Sequence, residues 1–455
     1  MHDGDREMPH TDHRQDATVP PEARAAATPD VLVIGGGPAG SCAATLLAAK
    51  GWKVTLLEKD RHPRFHIGES LLPMNMPILA EMGVLEKVRA IGVLKLGADF
   101  PGENGHYNRF DFSRTLRACP DFAFQVKREE FDQVLFEHAR ECGVDAREGV
   151  KASAVRFGAD GSIEVEAGGQ RLRPRYLLDA SGRDTFLGAK LGLKRKNPRH
   201  ASAAVFSHFS GVTRREGRDA GNVSIYRHAH GWAWAIPLRD GVTSVGAVCF
   251  PEYLKQRRGD TEGFLMRTLG SIPELSARMQ LATRVAPVHV TGNYAYQCTR
   301  MHGRHWTMLG DAYSFVDPMF SSGVYLAMRS ASEAAAMVDA ALRQPAREKA
   351  LQRAMQRRFD AGLDEFKWFI YRFTSPVMKH LFANPNNVLG IENAVISLLA
   401  GDVYAANPVL RRLRLFRVIY ALTALRLAPR AWSAWRRRRR QLAIELGDDT
   451  LQGAP

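Results

Sequence analysis

The stretch from Asp30 to Glu58 constrains this chain more than any other. Asp30-Val31-Leu32-Val33-Ile34 has the composition of a short buried strand, and Gly35-Gly36-Gly37-Pro38-Ala39-Gly40 follows it directly. Ser41 to Lys50 is rich in Ala and Leu and predicts a helix that stops at Gly51. Lys53 to Leu57 predicts a second strand ending at Glu58. Glycines 35, 37 and 40 therefore occupy the G-x-G-x-x-G positions of a strand-turn-helix unit. Gly35 permits the tight turn, Gly37 lets backbone approach a pyrophosphate, and Gly40 lets helix pack on strand. Ala39 sits at the helix start, where free amides and the helix dipole favour a phosphate. Glu58 and Lys59 lie at the end of the second strand, and Glu58 is placed to accept from a ribose diol. A dinucleotide site on a Rossmann-like α/β domain is expected.

Composition narrows the surroundings. The 455 residues allow two or three domains or one large enzyme with insertions, and 45% apolar with 24% charged residues is ordinary globular composition. Five scattered cysteines without C-x-x-C spacing argue against a disulfide framework and a zinc site, and suit a reducing cytoplasm; no metal ligands are nominated. Residues 1–28 are polar without an apolar core and read as a disordered tail rather than an export signal. The net charge is +15. Eleven arginines and no acid fall between Arg411 and Arg440, so the rest of the chain is nearly balanced. That segment reads as a packed helix with a solvated end. A second reading is a peripheral contact with the inner face of a membrane, since Arg beside Trp432 and Trp435 suits an anionic lipid interface. Nucleic acid is not expected as a partner, because stacking aromatics are not interleaved along the Arg run.

Later motifs identify the nucleotide by resemblance. Asp179-Ala180-Ser181-Gly182 and Gly310-Asp311 each follow a strand-like run. An N-terminal Rossmann unit with a late strand-Gly-Asp resembles the FAD-dependent monooxygenase superfamily, which implies FAD, with Asp311 near the ribityl chain. A second G-x-G-x-x-G for a nicotinamide cofactor is missing, so a separate flavin reductase is expected to supply FADH2. Gly231-Trp232-Ala233-Trp234-Ala235-Ile236-Pro237 resembles the W-x-W-x-I-P signature of flavin-dependent halogenases. Residues i and i+2 of a strand share a face, so Trp232 and Trp234 can wall the flavin off from an organic substrate; the same spacing suits two core aromatics.

Phe315-Val316-Asp317-Pro318-Met319-Phe320-Ser321-Ser322-Gly323-Val324 is similar to the family's segment covering the flavin. Amides at such a loop-to-helix junction form an anion nest, so Ser322 and Gly323 are candidates to hold chloride or bromide, and Val324 to line the flavin. They equally suit a helix cap. Phe65-His66-Ile67-Gly68-Glu69-Ser70 resembles the loop that contacts the isoalloxazine ring, which implies cofactor contacts for Gly68, Glu69 and Ser70. Lys95-Leu96-Gly97-Ala98-Asp99-Phe100 resembles the segment that carries the catalytic lysine. Without the resemblance Lys95 reads as a surface residue. Gln125-Val126-Lys127-Arg128 with Phe131-Asp132 resembles a stretch that would bring Arg128 near the phosphate or ribityl side.

The resemblance runs from about residue 29 to 405, its C-terminal part matching the branch acting on phenolic, pyrrolic or carrier-bound aromatics. It implies an FAD-binding domain over 29–200 and 290–345, a substrate-side β-sheet region over 200–290, a helical region over 346–406, and a basic tail over 407–455. One departure matters: tryptophan-specific members carry a catalytic Glu where this chain has Phe320. The implied activity is halogenation of an electron-rich aromatic ring, free or carrier-bound, with FADH2, oxygen and halide. Lys95 would meet hypohalous acid on its way to the ring, either hydrogen-bonding to it or forming a haloamine. An aromatic hydroxylase or a prenyl-type reductase on the same fold is the alternative, and a non-catalytic flavin scaffold is a third.

Overall fold

The computed structural model describes residues 28–102, 106–383, 387–404, 408–428 and 436. In chain order, the elements that position the site are β1 (Val31–Ile34), α1 (Pro38–Ala48), β2 (Val54–Leu57), β3 (Val93–Lys95), β4 (Gly97–Pro101), α2 (Arg128–Glu141), β5 (Tyr176–Asp179), β6 (Lys194–Ser210), β7 (Val223–His228), β8 (Gly231–Pro237), β9 (Thr243–Cys249), β10 (His289–Cys298), β11 (Trp306–Met308) and α3 (Ser322–Arg343). The helices α4 (Glu348–Ile370), α5 (Pro376–Ala383), α6 (Ile391–Ala400) and α7 (Pro408–Arg426) complete the C-terminal part.

The first layer is a six-stranded sheet with β1 at its centre, flanked in parallel by β2 and β5, with β11 parallel beyond β5. All four residues of β1 and of β5 are buried, which explains why these strands read as unbroken apolar runs. The helix after β1 begins at Pro38, three residues earlier than Ser41, because a proline at the first helical position loses no backbone bond. Both G-x-G-x-x-G and Gly310-Asp311 leave the carboxyl ends of parallel strands of this sheet, β1 and β11, with β5 between them, where ligands of open α/β sheets bind.

The second layer is a nine-stranded sheet in which β10, β6, β9, β8, β7 and β4 are successive neighbours. Its pairs are antiparallel apart from β7 on β4. Strict alternation sorts its residues into two cores. Ala203, Val205, Tyr226, Ala233, Ala235 and Val245 face a small cluster with Phe264, Leu265 and Leu275. Ala204, Phe206, Ile225, Trp232, Trp234 and Val248 face the main core with the nucleotide layer. Cross-strand register puts Trp232 opposite Val248 and Trp234 opposite Gly246. A Cβ at Gly246 would lie 2.5 Å from the Trp234 indole and 2.3 Å from Phe206, so this glycine makes the space that the second tryptophan fills.

The basic C-terminal segment becomes α7 from Pro408. Val409, Leu413 and Phe416 are buried against the body, while Val418, Leu422 and Leu425 are exposed. Trp432, Trp435, Arg437–Arg440 and the N-terminal tail as far as residue 27 lie outside the described residues. No helix among the described residues is long and apolar enough to cross a membrane.

Candidate functional site

A cavity of about 880 Å³ lies between the two layers. Its wall is shared by the glycine turn, the 64–70 loop, Asp311, the start of α3 and the tryptophan pair. This volume is within the range of cofactor and ligand sites, roughly 300–1,000 Å³.

At the nucleotide end, Gly35 has φ +104, and a Cβ there would lie 2.3 Å from the Ala180 carbonyl oxygen. A Cβ at Gly40 would lie 1.8 Å from the Gly35 oxygen. Both glycines are therefore required by backbone packing. Gly37 differs: its Cβ would meet nothing closer than Arg64 Nη2 at 3.6 Å, and it lines the cavity with Ala39. The one glycine whose side-chain position is open is the one beside the space for a phosphate. Glu58 is buried, accepts from Gly36 N at 2.8 Å and Asp60 N at 3.0 Å, and receives Arg64 Nη2 at 3.2 Å. A carboxylate offers about four lone-pair positions, so one remains. Lys59 lines the wall and pairs with Asp184 at 2.6 Å.

The 64–70 loop is tied down by Arg128. Its guanidinium grips Asp132 through Nε at 2.8 Å and Nη2 at 2.9 Å, and donates from Nη1 to the Ile67 carbonyl at 2.6 Å. A Cβ at Gly68, which has φ +111, would strike Nη1 at 2.8 Å. Arg128 lines the cavity, yet its donors are largely spent on the protein. Asp311 is the opposite case. Its carboxylate lines the cavity, no described residue donates to it, and burial raises it to about 6 despite the charges of Arg183 and Arg128. A wall carboxylate without donors, facing a space of this size, fits a polyhydroxylated chain. The donor set, the open Gly37 position and Asp311 together fit FAD.

At the far end, Trp232 and Trp234 both line the cavity, with ring centroids 5.6 Å apart. Trp234 donates to Ser244 Oγ at 3.2 Å, whereas Trp232 Nε1 is buried without a partner among the described residues. Ser321, Gly323 and Val324 lie in the wall, and a Cβ at Gly323 would find open space. Ser322 is buried behind them and does not reach the wall; its Oγ has no partner among the described residues.

Lys95 departs from its surface expectation. It is 1% exposed, and Nζ donates to Ser70 Oγ and the Leu71 carbonyl, each at 2.9 Å, 5.4 Å from the Phe112 ring centroid. Burial lowers its amine to about 7. It stands one residue behind the cavity wall, with Ser70 between. Phe320 is buried edge-on to Phe373. Sequence reasoning missed Arg64, which holds Glu58 and approaches Asp132 at 3.5 Å, and His208, which bonds Glu69 at 2.7 Å. Neither had a local signal, because their partners come from other elements.

Fold and site define an FAD-dependent oxidoreductase, and residues 28–364 match the FAD binding domain family. Over 408 residues the chain is 31% identical to the pyrrole-2-carbonyl peptidyl-carrier-protein chlorinase of Pseudomonas fluorescens, covering 83% of this chain and 90% of that one. A tryptophan 2-halogenase of Chondromyces crocatus is 36% identical over 68% of this chain and 60% of its own. The structure of the flavin-dependent brominase Bmp2 superposes with a TM-score of 0.75 at 25% identity, covering 86% of this chain and 99% of that one. The chain belongs to the flavin-dependent halogenases.

Proposed function

We propose that this enzyme halogenates an electron-rich, pyrrole-like or phenol-like ring, free or carried on a peptidyl carrier protein. Chloride or bromide is the halogen source, and a separate reductase supplies FADH2. The relatives named for pyrrole on a carrier protein support the substrate class. Phe320 in place of an acid is in keeping with it. Reduced FAD, when bound, supplies the two-electron activation of oxygen. The Gly323 amide, in the cavity wall beside Ser321 with Ser322 buried behind it, holds the halide, and Trp232 and Trp234 keep the ring from the flavin. Oxidised halide must then reach the ring as hypohalous acid.

The observation that carries the role of Lys95 is its amine, buried with two acceptors behind Ser70. An ammonium has three N–H donors, and two are engaged. The third donates to the hypohalous acid oxygen. As the ring carbon takes the halogen, the O–X bond breaks, Nζ gives its proton, and water leaves. The ring proton then returns to the neutral amine. An amine that titrates near neutrality suits both halves of this exchange. The sign follows from the direction of the shift: the proton-bearing form is present below about 7 and is lost above it. Product formed per oxygen consumed therefore falls as pH rises through about 7. Parallel measurement of oxygen uptake and halogenated product across that range tests this, and a constant ratio on both sides of 7 would sink it.

A further inference from the structure

Turning an aryl C–H, a halide ion, oxygen and two-electron-reduced flavin into an aryl halide, oxidised flavin and two waters consumes one proton. That proton must reach the cavity from solvent on every turnover. The exchange at Lys95 returns its proton and supplies none. The 64–70 loop and β6 together offer a route. Glu69 is 2% exposed, lines the cavity, and has one oxygen, Oε2, buried without a partner among the described residues. Its other oxygen, Oε1, meets His208 Nε2 at 2.7 Å. The His208 side chain is 16% exposed, so its ring reaches solvent while Glu69 stands in the cavity wall.

We infer that Glu69 and His208 form a proton relay that feeds the cavity during halogenation, an inference resting on the halogenase reading above. The His208 imidazolium passes its Nε2 proton to Glu69 Oε1, rotation of the carboxyl turns the O–H inward, and the carboxyl releases it to the oxygen being reduced. The neutral imidazole is then reprotonated from water. Burial pulls the imidazolium down, but the Glu69 hydrogen bond and charge outweigh it, so His208 stays protonated above its ordinary range. Glu129 adds to that and Lys127 opposes it. His289, stacked with Phe65 and Phe206 nearby, is held lower by burial and by His208 itself, and is the poorer carrier.

The test uses His208→Gln in the full chain, since a β6 residue at the rim can change without touching the nucleotide turn. FAD affinity should stay within a few-fold, while oxygen consumption in the presence of halide falls on the order of a hundredfold. The wild-type alkaline limb of that oxygen consumption should vanish. The second readout needs neither flavin nor turnover. NMR titration of the His208 ring in the ligand-free protein should move to lower pH in Glu69→Gln. Wild-type oxygen consumption and pH profile in His208→Gln overturn the relay. An unmoved His208 titration in Glu69→Gln overturns the coupling. Loss of halogenated product with oxygen consumption intact would point instead to the Lys95 step, so failure of the relay and failure of the functional reading give different signatures.

Discussion

Lys95→Ala lowers halogenated product by on the order of 10²–10⁴-fold while FAD affinity and oxygen consumption stay within a few-fold of wild type. Nζ touches Ser70 Oγ and the Leu71 carbonyl, and no nucleotide-turn residue depends on it. Truncation leaves two acceptors without a donor, at about 1–3 kcal/mol each when buried. It also removes an ammonium whose burial is itself unfavourable, as the depressed titration shows. The variant therefore folds, the flavin chemistry runs, and hypohalous acid or peroxide appears in solution instead of aryl halide. Lys95→Arg does not rescue, because a guanidinium keeps its proton at neutral pH and cannot cycle it. Quantifying aryl halide, free oxidant and oxygen uptake on one sample checks all three statements. Near wild-type product from Lys95→Ala would remove the lysine from the chemistry.

Gly37→Val reduces FAD affinity at least about a hundredfold, about 2.7 kcal/mol, and leaves the apoprotein's thermal midpoint close to wild type. Gly37 has φ −77, which any L-residue accepts, and a Cβ there meets nothing closer than 3.6 Å. The added methyls project into the cavity where a pyrophosphate would approach the turn. Gly40→Val is the contrasting control. Its Cβ would lie 1.8 Å from the Gly35 oxygen, so the loss falls on folding as well as on binding. Flavin fluorescence titration beside thermal melts separates the two. Equal destabilisation by both substitutions would contradict the assignment of Gly37 to the ligand.

What was legible in the sequence was what short-range geometry encodes. Three glycines, a flanking apolar strand and a terminal acid are set by spacing alone, and β1, β2 and Glu58 stand where that spacing puts them, while α1 starts three residues early at Pro38. The tryptophan pair was legible because alternation on a strand is obligatory, and both indoles line the cavity. What was not legible depends on long-range closure. The burial of Lys95 is made by Ser70, Leu71 and Phe112, and no local pattern around Lys95 reports it. Glu69 and His208 are 139 positions apart and meet only because β6 crosses over the 64–70 loop. The space that Gly246 leaves for Trp234 depends on the cross-strand register that sets the two opposite each other. Arg128 was placed near the cofactor by resemblance, and its grip on Asp132 shows that much of its donor capacity goes to holding the loop.

In the proposed reaction, this cavity directs oxygen's oxidising power to a halide before it reaches an aromatic ring. The most direct measurement is mass spectrometry of products from the enzyme with a flavin reductase, oxygen and a panel of pyrroles and phenols, run with bromide and with no halide. The expected product carries bromine's near-equal isotope doublet when bromide is present, and no oxygenated ring forms without it. A ring gaining one oxygen atom equally well with or without bromide would contradict it.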